Sequence, residues 1–161
     1  MGPQRVENVE ASDTIKLLEL NALRADGSLQ RRCELEAEFN RRFGADRYLA
    51  VYGSLAPGRS NHAQLSALSG TWSTNCHVTG ELIDQGWGAG IGFPALRWSE
   101  SGAPVPVQLF ESDELAQHWD RLDAFEGPEY LRILVPVLAD GHLISIANLY
   151  AARPAGLAVE K

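Results

Sequence analysis

Residues 47–61 of this chain, which read RYLAVYGSLAPGRSN, join a hydrophobic segment to a loop rich in small residues. Residues 48–52 are apolar or aromatic and include β-branched Val51, a composition typical of a buried strand. The strand is expected to end at Gly53, because glycine and the nearby Pro57 favour turn conformations. A buried strand that ends in such a loop leaves backbone N–H groups free to bind a carboxylate, an oxyanion or a phosphate. An ordinary strand-to-turn junction has the same pattern, so the residues alone leave both interpretations open.

The composition limits the class of protein. A chain of 161 residues, 45% hydrophobic and 22% charged, is long enough for one domain with a substantial core. The net charge of −7, with Lys16 and Lys161 as the only lysines, argues against a nucleic-acid surface. No apolar run has the length of a transmembrane helix, and the N-terminus lacks the apolar core of a signal peptide. Because Cys33 and Cys76 also fit a reducing compartment, we expect a cytoplasmic protein without nucleic-acid or membrane partners.

Two amphipathic helices are predicted before the first strand. Ser12 or Asp13 can cap the first helix, Ser28 can cap the second, and Gly44 ends the second. The broad apolar face of the second helix consists of Leu29, Cys33, Leu35, Phe39 and Phe43. These apolar faces allow three arrangements: packing on their own domain, which we favour, closing over a cleft, or pairing with another copy in a homo-oligomer. We assign residues 1–46 to an N-terminal helical extension.

Several short strands are predicted after the helices. Their composition and alternation indicate strands at residues 78–84, 95–98, 105–110, 131–138 and 143–150. The last two form a hairpin around Asp140-Gly141, and Pro136 places the first of them at an edge or beside a bulge. The pattern predicts an α+β domain in which several strands curl into a barrel with few helices.

A glycine-rich segment, residues 86–92 (GWGAGIG), superficially resembles a dinucleotide-binding fingerprint. Phe93-Pro94 and a predicted strand follow it, whereas a dinucleotide site requires a helix there. We interpret the segment as a loop at the rim of a pocket, with Trp87 as an apolar wall. A simple surface loop explains the pattern equally well.

One carboxylate continues the apolar face of a predicted helix that starts at Ser112 or Asp113. The face consists of residues at helical spacing, namely Leu115, Trp119 and Leu122, and Glu126 comes next on it. Loss of water and the helix dipole would both raise the pKa of Glu126 toward that of a general base. Two alternatives stay open: Glu126 lies past the helix end in solvent, or it pairs with an arginine such as Arg132. The scattered histidines give no support for a metal cluster.

Four short blocks, taken in order, resemble the gamma-glutamylcyclotransferase family and its small avirulence-induced-protein-like branch. The blocks are YGSL at residues 52–55, GEL at 80–82, FPAL at 93–96 and LDAFEGPEYLR at 122–132. The first and last blocks together are specific to the family, whereas either alone would be weak. The resemblance covers residues 47–152, which we assign to one domain followed by a C-terminal tail at residues 153–161.

The resemblance implies a small mixed β-barrel flanked by helices, with a pocket between the YGSL loop and the glutamate of the last block. Family members convert a small gamma-glutamyl amine or amide into 5-oxoproline and the free amine, without metal or cofactor. By motif match, Glu126 is the general acid/base and Tyr130 is a neighbour in the pocket. The substrate-holding loop consists of Tyr52, Gly53, Ser54 and Leu55, and the last of these differs in some family members. A non-catalytic binding protein built on the same barrel is the alternative.

Overall fold

The computed structural model describes residues 11–25, 29–52, 63–83, 95–127 and 130–153. The helices are α1 (Ala11–Ala25), α2 (Leu29–Phe43), α3 (Ala63–Ser66) and α4 (Trp119–Glu126). The strands are β1 (Tyr48–Val51), β2 (Thr71–Ile83), β3 (Ala95–Trp98), β4 (Ala103–Glu111), β5 (Tyr130–Ala139) and β6 (His142–Ala152). Short 3₁₀ helices lie at Ala45–Arg47 and Leu115–Gln117.

Five of the strands close into a barrel. β1 pairs with β4, β4 with β2, β2 with β5, β5 with β6, and β6 returns to β1. The β1–β6 pairing is parallel and the other four are antiparallel, so the barrel is mixed. β3 is an additional strand that pairs with β2 and, in parallel, with β6. The predicted α+β class, with a small mixed barrel and flanking helices, is therefore confirmed.

The β5–β6 hairpin has the ladder that the sequence predicts. It runs from Tyr130 opposite Ala152 to Ala139 opposite His142. At its tip the chain turns through Asp140-Gly141, whose φ angles are 51° and 78°. Positive φ at both central residues is what a type I′ turn requires, and an Asp-Gly pair adopts it at low cost.

Strand β2 begins earlier than the sequence predicts, at Thr71 rather than near residue 78. Its register with β4 shifts between Ser73 and Cys76, and Asn75 has a φ of 62°. A bulge of this kind interrupts the alternation of side chains between the two faces of a strand. The sequence pattern therefore gave no signal for the first half of β2.

Helix α1 covers the part of the β5 edge that does not pair with β2. The side-chain amide of Asn21 donates to the Leu134 C=O (2.9 Å) and accepts from the Leu134 N–H (2.8 Å), as a neighbouring strand would. Two residues earlier on the same edge, Arg24 donates to the Arg132 C=O at 3.1 Å. By the same alternation Pro136 faces this edge, where its missing N–H leaves no donor unpaired. The edge position predicted for Pro136 agrees with this arrangement.

Part of the predicted apolar face of α2 packs with α1 on the outside of the hairpin, whereas Leu29 and Cys33, which the sequence placed on that face, are exposed. The buried side chains of this layer are Leu17, Leu20, Leu35, Phe39, Phe43, Ala45, Leu134 and Ile146. Full burial of a leucine or phenylalanine stabilises the fold by about 1.5–3 kcal/mol. Gly44 has a φ of 63° and donates to the Asn40 C=O at 2.9 Å, so it ends α2 as predicted.

The start of α1 differs from the sequence prediction. The helix already includes Ala11, so Ser12 and Asp13 lie inside it and do not cap it. Asp13 is instead buried against α2, where Arg42 binds it through two nitrogens at 2.5 and 3.1 Å. A buried carboxylate needs such a partner, since an isolated charge in the interior is strongly destabilising.

Several sequence predictions concern residues outside the described ranges. They include Gly53, Ser54 and Leu55 of the substrate loop, residues 86–92 with Trp87, and the tail beyond Arg153. The division of the chain into extension, domain and tail stays a prediction, as does the cytoplasmic location. None of the helices within the described ranges is long and apolar enough to cross a membrane.

Candidate functional site

Glu126 is the last residue of α4. The predicted helix over residues 113–126 is interrupted, because residues 115–117 form a 3₁₀ helix and α4 begins only at Trp119. Its apolar face is nevertheless continuous, since Leu115, Trp119 and Leu122 are buried in one core cluster. Gly127 follows with a φ of 86°, and its N–H donates to the Asp123 C=O at 3.1 Å. Glu126 is therefore held, partly buried, at the point where the helix ends.

The environment of Glu126 favours its protonated form. Burial raises the pKa of Glu126 to about 7, and the like charge of Asp123, one turn earlier on the same helix, contributes to this rise. Arg132, which the sequence left open as a partner, pairs with Asp123 instead (Nε–Oδ1 2.8 Å). Within the described part of the chain, no ion pair neutralises Glu126. A carboxyl group with this pKa can both accept and release a proton near neutral pH.

Tyr52 lies directly after β1 and joins three strands. Its hydroxyl accepts from the Leu96 N–H at 2.9 Å and donates to the Tyr150 C=O at 2.5 Å. Burial raises the pKa of Tyr52, and the charge of Glu126 contributes in the same direction, which places the two side chains in one electrostatic environment. The Tyr52 side chain is thus held between β3 and β6, while its direct role in substrate binding stays a prediction.

Tyr130, the other predicted pocket residue, begins β5 and is buried. Its backbone N–H donates to the Gly127 C=O at 3.3 Å, which links the start of β5 to the end of α4. A negative charge on Tyr130 would raise the pKa of Tyr52, so these two tyrosines also lie close together. The charges of Glu126 and of Tyr130 both influence the pKa of Tyr52, and the joint role of these three residues in one site stays a prediction.

Beside Glu126 lies a cluster of hydrogen-bonded polar side chains, centred on Asp123, to which the sequence analysis assigned no function. The Asp123 carboxylate accepts from Arg132 Nε (2.8 Å) and Nη2 (3.4 Å), and from the Tyr150 hydroxyl (2.6 Å). The Arg132 guanidinium also lies over the Trp119 ring, 4.5 Å from its centroid. Asp123 and Arg132 both belong to the LDAFEGPEYLR block and could have been found there. Tyr150 has no such signal, because it is 27 residues from Asp123.

This cluster of polar side chains extends toward the N-terminal helices. The Asn148 side-chain oxygen accepts from Arg132 Nη1 and from Arg24 Nη1, both at 2.8 Å. Arg24 also donates through Nε (3.0 Å) and Nη2 (2.6 Å) to the Glu36 carboxylate. The amide nitrogen of Asn148 donates to the Ala45 C=O at 2.9 Å. A chain of hydrogen-bonded charged and polar side chains therefore links α2 to α4 across the β5–β6 hairpin.

An open cleft of about 620 Å³ lies above this chain of charges, between the N-terminal helices, α4 and the hairpin. Its described lining includes Asp123 and Tyr130 but not Glu126. The cleft therefore lies beside the end of α4 that carries Glu126. Within the described ranges, no group of three or more His, Cys, Asp or Glu side chains is arranged to bind a metal. A reaction without cofactor stays a prediction.

Comparison with known families agrees with the sequence motifs. Residues 49–160 match the family described as gamma-glutamyl cyclotransferase, AIG2-like. The chain therefore belongs to the AIG2-like gamma-glutamyl cyclotransferase family. The matched region contains the barrel, α4 and Glu126, whereas α1 and α2 precede it. No curated protein sequence matches the chain.

Solved structures share the fold at low sequence identity. An AIG2-like protein from Mus musculus is 24% identical, and the match covers 71% of this chain and 85% of that protein with a TM-score of 0.50. YkqA from Bacillus subtilis is also 24% identical with a TM-score of 0.50, over 66% of this chain. The match spans only 35% of the Bacillus protein, about a third of its length. At these identities the likeness concerns the fold alone.

Proposed function

We propose that the protein is a gamma-glutamyl cyclotransferase that converts a small gamma-glutamyl amine or amide into 5-oxoproline and the free amine. Membership of the family supports this class of reaction. The observation that carries the proposal is the partly buried Glu126, whose pKa is about 7 and whose charge no ion pair neutralises within the described ranges. Such a group matches the proton transfers that this cyclisation requires.

In the proposed mechanism Glu126 takes part in two proton transfers: it first accepts a proton and later donates it. The ionised carboxylate accepts a proton from the α-ammonium group of the substrate, which leaves a neutral amine. The amine nitrogen attacks the γ-carbonyl carbon, a C–N bond closes the five-membered ring, and the carbonyl oxygen becomes an oxyanion. When the intermediate collapses, the oxyanion re-forms the carbonyl, the bond to the leaving amine breaks, and protonated Glu126 gives its proton to that amine. The ring nitrogen, which the attack left positively charged, releases its remaining extra proton to solvent, and the neutral lactam results. A pKa near 7 suits both steps, because neither form of the carboxyl is scarce at neutral pH.

The YGSL loop has the second role in this proposal. Backbone N–H groups of Gly53, Ser54 and Leu55 would bind the substrate α-carboxylate or the oxyanion that develops on the γ-carbonyl. Tyr52, whose hydroxyl is hydrogen-bonded to the backbone of Leu96 and of Tyr150, would set the direction in which the loop leaves β1. Because ring closure is intramolecular, holding the substrate folded accounts for a large part of the expected rate enhancement.

The experiment is incubation of the purified protein with a panel of gamma-glutamyl amines, amides and amino acids, with 5-oxoproline as the readout. Wild type is compared with Glu126→Gln and with Glu100→Gln, which makes the same chemical change at an exposed position. We expect release by wild type and by Glu100→Gln, and a near-complete loss in Glu126→Gln. Binding of a panel member without release of 5-oxoproline would instead favour a non-catalytic binding protein on the same barrel.

A further inference from the structure

The cleft beside α4 has more cations than anions in its described lining. Its charged lining residues are Arg24, Arg32, Arg132 and Arg153, together with Glu36, Asp120 and Asp123. Four guanidinium groups therefore face three carboxylates, whereas the whole chain carries a net charge of −7. The cleft is thus a local excess of positive charge on an acidic protein.

Two of the four arginines are matched by carboxylates within the lining itself. Arg24 donates to both oxygens of Glu36, through Nε at 3.0 Å and Nη2 at 2.6 Å. Arg132 donates to both oxygens of Asp123, through Nε at 2.8 Å and Nη2 at 3.4 Å. The charges of these two pairs cancel. The excess of positive charge therefore comes from the other two arginines of the lining, Arg32 and Arg153, since Asp120 is the only other carboxylate among the described lining residues.

Arg32 is the cleft residue best placed to bind an added anion. Its side chain is partly buried on α2, and no hydrogen bond or ion pair joins it to another residue within the described ranges. Glu36, one turn later on the same helix, is at the usual spacing for a partner, but both of its oxygens accept from Arg24. A guanidinium has five N–H donors in a planar fork that matches a carboxylate or a phosphate. The donors of Arg32 are thus available to a ligand in the cleft.

Strand β5 and the end of β6 bring further donors to the same cleft. The hydrogen bonds of Arg132 to Asp123 and Asn148 use one N–H on each of its three nitrogens, which leaves one N–H on Nη1 and one on Nη2. Arg153 is held at the cleft wall, where its Nη2 donates to the Tyr130 C=O at 3.4 Å. An anion that enters the cleft therefore meets guanidinium groups from α2 and from the hairpin.

We propose that this cleft binds a small anionic ligand through a carboxylate or phosphate group, and that Arg32 binds the anionic group. The volume of about 620 Å³ lies in the range of small-molecule sites, roughly 300–1,000 Å³. Arg32 precedes the region matched by the family, whereas Arg132 and Arg153 lie inside it. The N-terminal helices, expected from the sequence to contribute only packing or association, would therefore complete a second binding site beside α4.

The test is a titration of the ¹⁵N-labelled protein with succinate, with inorganic phosphate, and with succinamide as the uncharged counterpart of succinate. We expect saturable amide shifts, concentrated at cleft residues such as Gly127 and Leu131, with at least one of the two anions. The tighter of the two identifies the anionic group that the site prefers. Arg32→Gln should raise the Kd of that anion about tenfold or more, the usual effect of losing a hydrogen bond to a charged group.

The control is Arg41→Gln, which removes the same charge from an exposed position of the same helix, outside the described lining of the cleft. Its Kd should equal that of wild type. An equal loss of affinity in Arg32→Gln and Arg41→Gln would overturn the proposal, because general surface charge would then explain the binding. Absence of saturable binding by both anions, shifts located away from the cleft, or equal binding of succinamide and succinate would also overturn it. Release of 5-oxoproline is not part of this measurement, so either proposal can fail without the other.

Discussion

Two carboxylates of α4, Asp123 and Glu126, lie about one helical turn apart and have opposite environments. Asp123 accepts two hydrogen bonds from Arg132 and one from Tyr150, so its negative charge is matched by a cation and by donors. Glu126 is partly buried at the end of the helix, and burial together with the charge of Asp123 raises its pKa to about 7. Asp123 is paired with a cation, whereas Glu126 can accept and release a proton near neutral pH.

This difference separates structural from chemical roles within one motif. A carboxylate bound by a guanidinium has its charge and its hydrogen-bonding capacity matched by a partner. A carboxylate that loses water without gaining a cation destabilises the fold when it ionises. A protein keeps such a residue where its chemistry is needed, and functional sites are where these conflicts concentrate.

Replacing the proton carrier should have the largest effect. In Glu126→Gln the fold is retained, and we expect turnover to fall by roughly two to four orders of magnitude, the usual contribution of a positioned acid/base. The measurement is the initial rate of 5-oxoproline release at saturating substrate, with circular dichroism to verify the fold. Near-normal turnover in a folded variant would remove Glu126 from the mechanism.

The second effect is on stability as a function of pH. Because the pKa of Glu126 is raised from its usual value near 4.5 to about 7, the folded state binds its proton more tightly than the unfolded state does. The free energy of unfolding should therefore fall as the pH rises through this interval, by about 3 kcal/mol in total from this residue. Urea unfolding at pH 5 and pH 8 measures the fall. Glu126→Gln should lack this component, and an equal fall in both proteins would contradict the assignment.

Asp123→Asn tests the role of the carboxylate that is paired with Arg132. The variant leaves Arg132 without its anion, and we expect the free energy of unfolding to fall by about 1–2 kcal/mol, since the pair is partly exposed. The same change removes a negative charge beside Glu126, so the pKa of Glu126 should fall below 7. Denaturant unfolding and a ¹³C NMR titration of the Glu126 carboxyl give the two values. A higher pKa for Glu126 in this variant would contradict the charge argument.

Tyr150→Phe should have the smallest effect. It removes the 2.6 Å hydrogen bond from the Tyr150 hydroxyl to Asp123 and leaves Arg132 in place. We expect a loss of about 1 kcal/mol in the free energy of unfolding, typical of one hydrogen bond to a partly exposed acceptor. A loss as large as that of Asp123→Asn would mean that Tyr150, rather than Arg132, is the main partner of Asp123.

Local patterns were sufficient to predict most of the fold. Helical spacing predicted α2 with its end at Gly44, and an Asp-Gly turn between alternating segments predicted the β5–β6 hairpin. The same helical spacing predicted that Glu126 lies on the apolar face of α4. The first half of β2 was missed, because the bulge near Asn75 breaks the alternation that marks a strand.

The partners of these side chains could not be predicted from local patterns. Arg24 binds Asn148 from 124 positions away, and Asp123 binds Tyr150 from 27 positions away. Such pairs form only when the barrel closes and α1 covers the edge of β5, so no periodicity in the sequence records them. The raised pKa of Glu126 was expected from burial and the helix dipole, but the charge of Asp123 was not.

The pH dependence of kcat/KM for 5-oxoproline release by the wild-type protein tests the central claim most directly. This ratio reports the ionisation of groups in the free enzyme. With Glu126 as the base, the rate should fall on the acid side with an apparent pKa close to 7, the value set by the burial of this carboxyl. A kcat/KM that stays constant from about pH 5 to pH 8, across the titration of Glu126, would contradict the account.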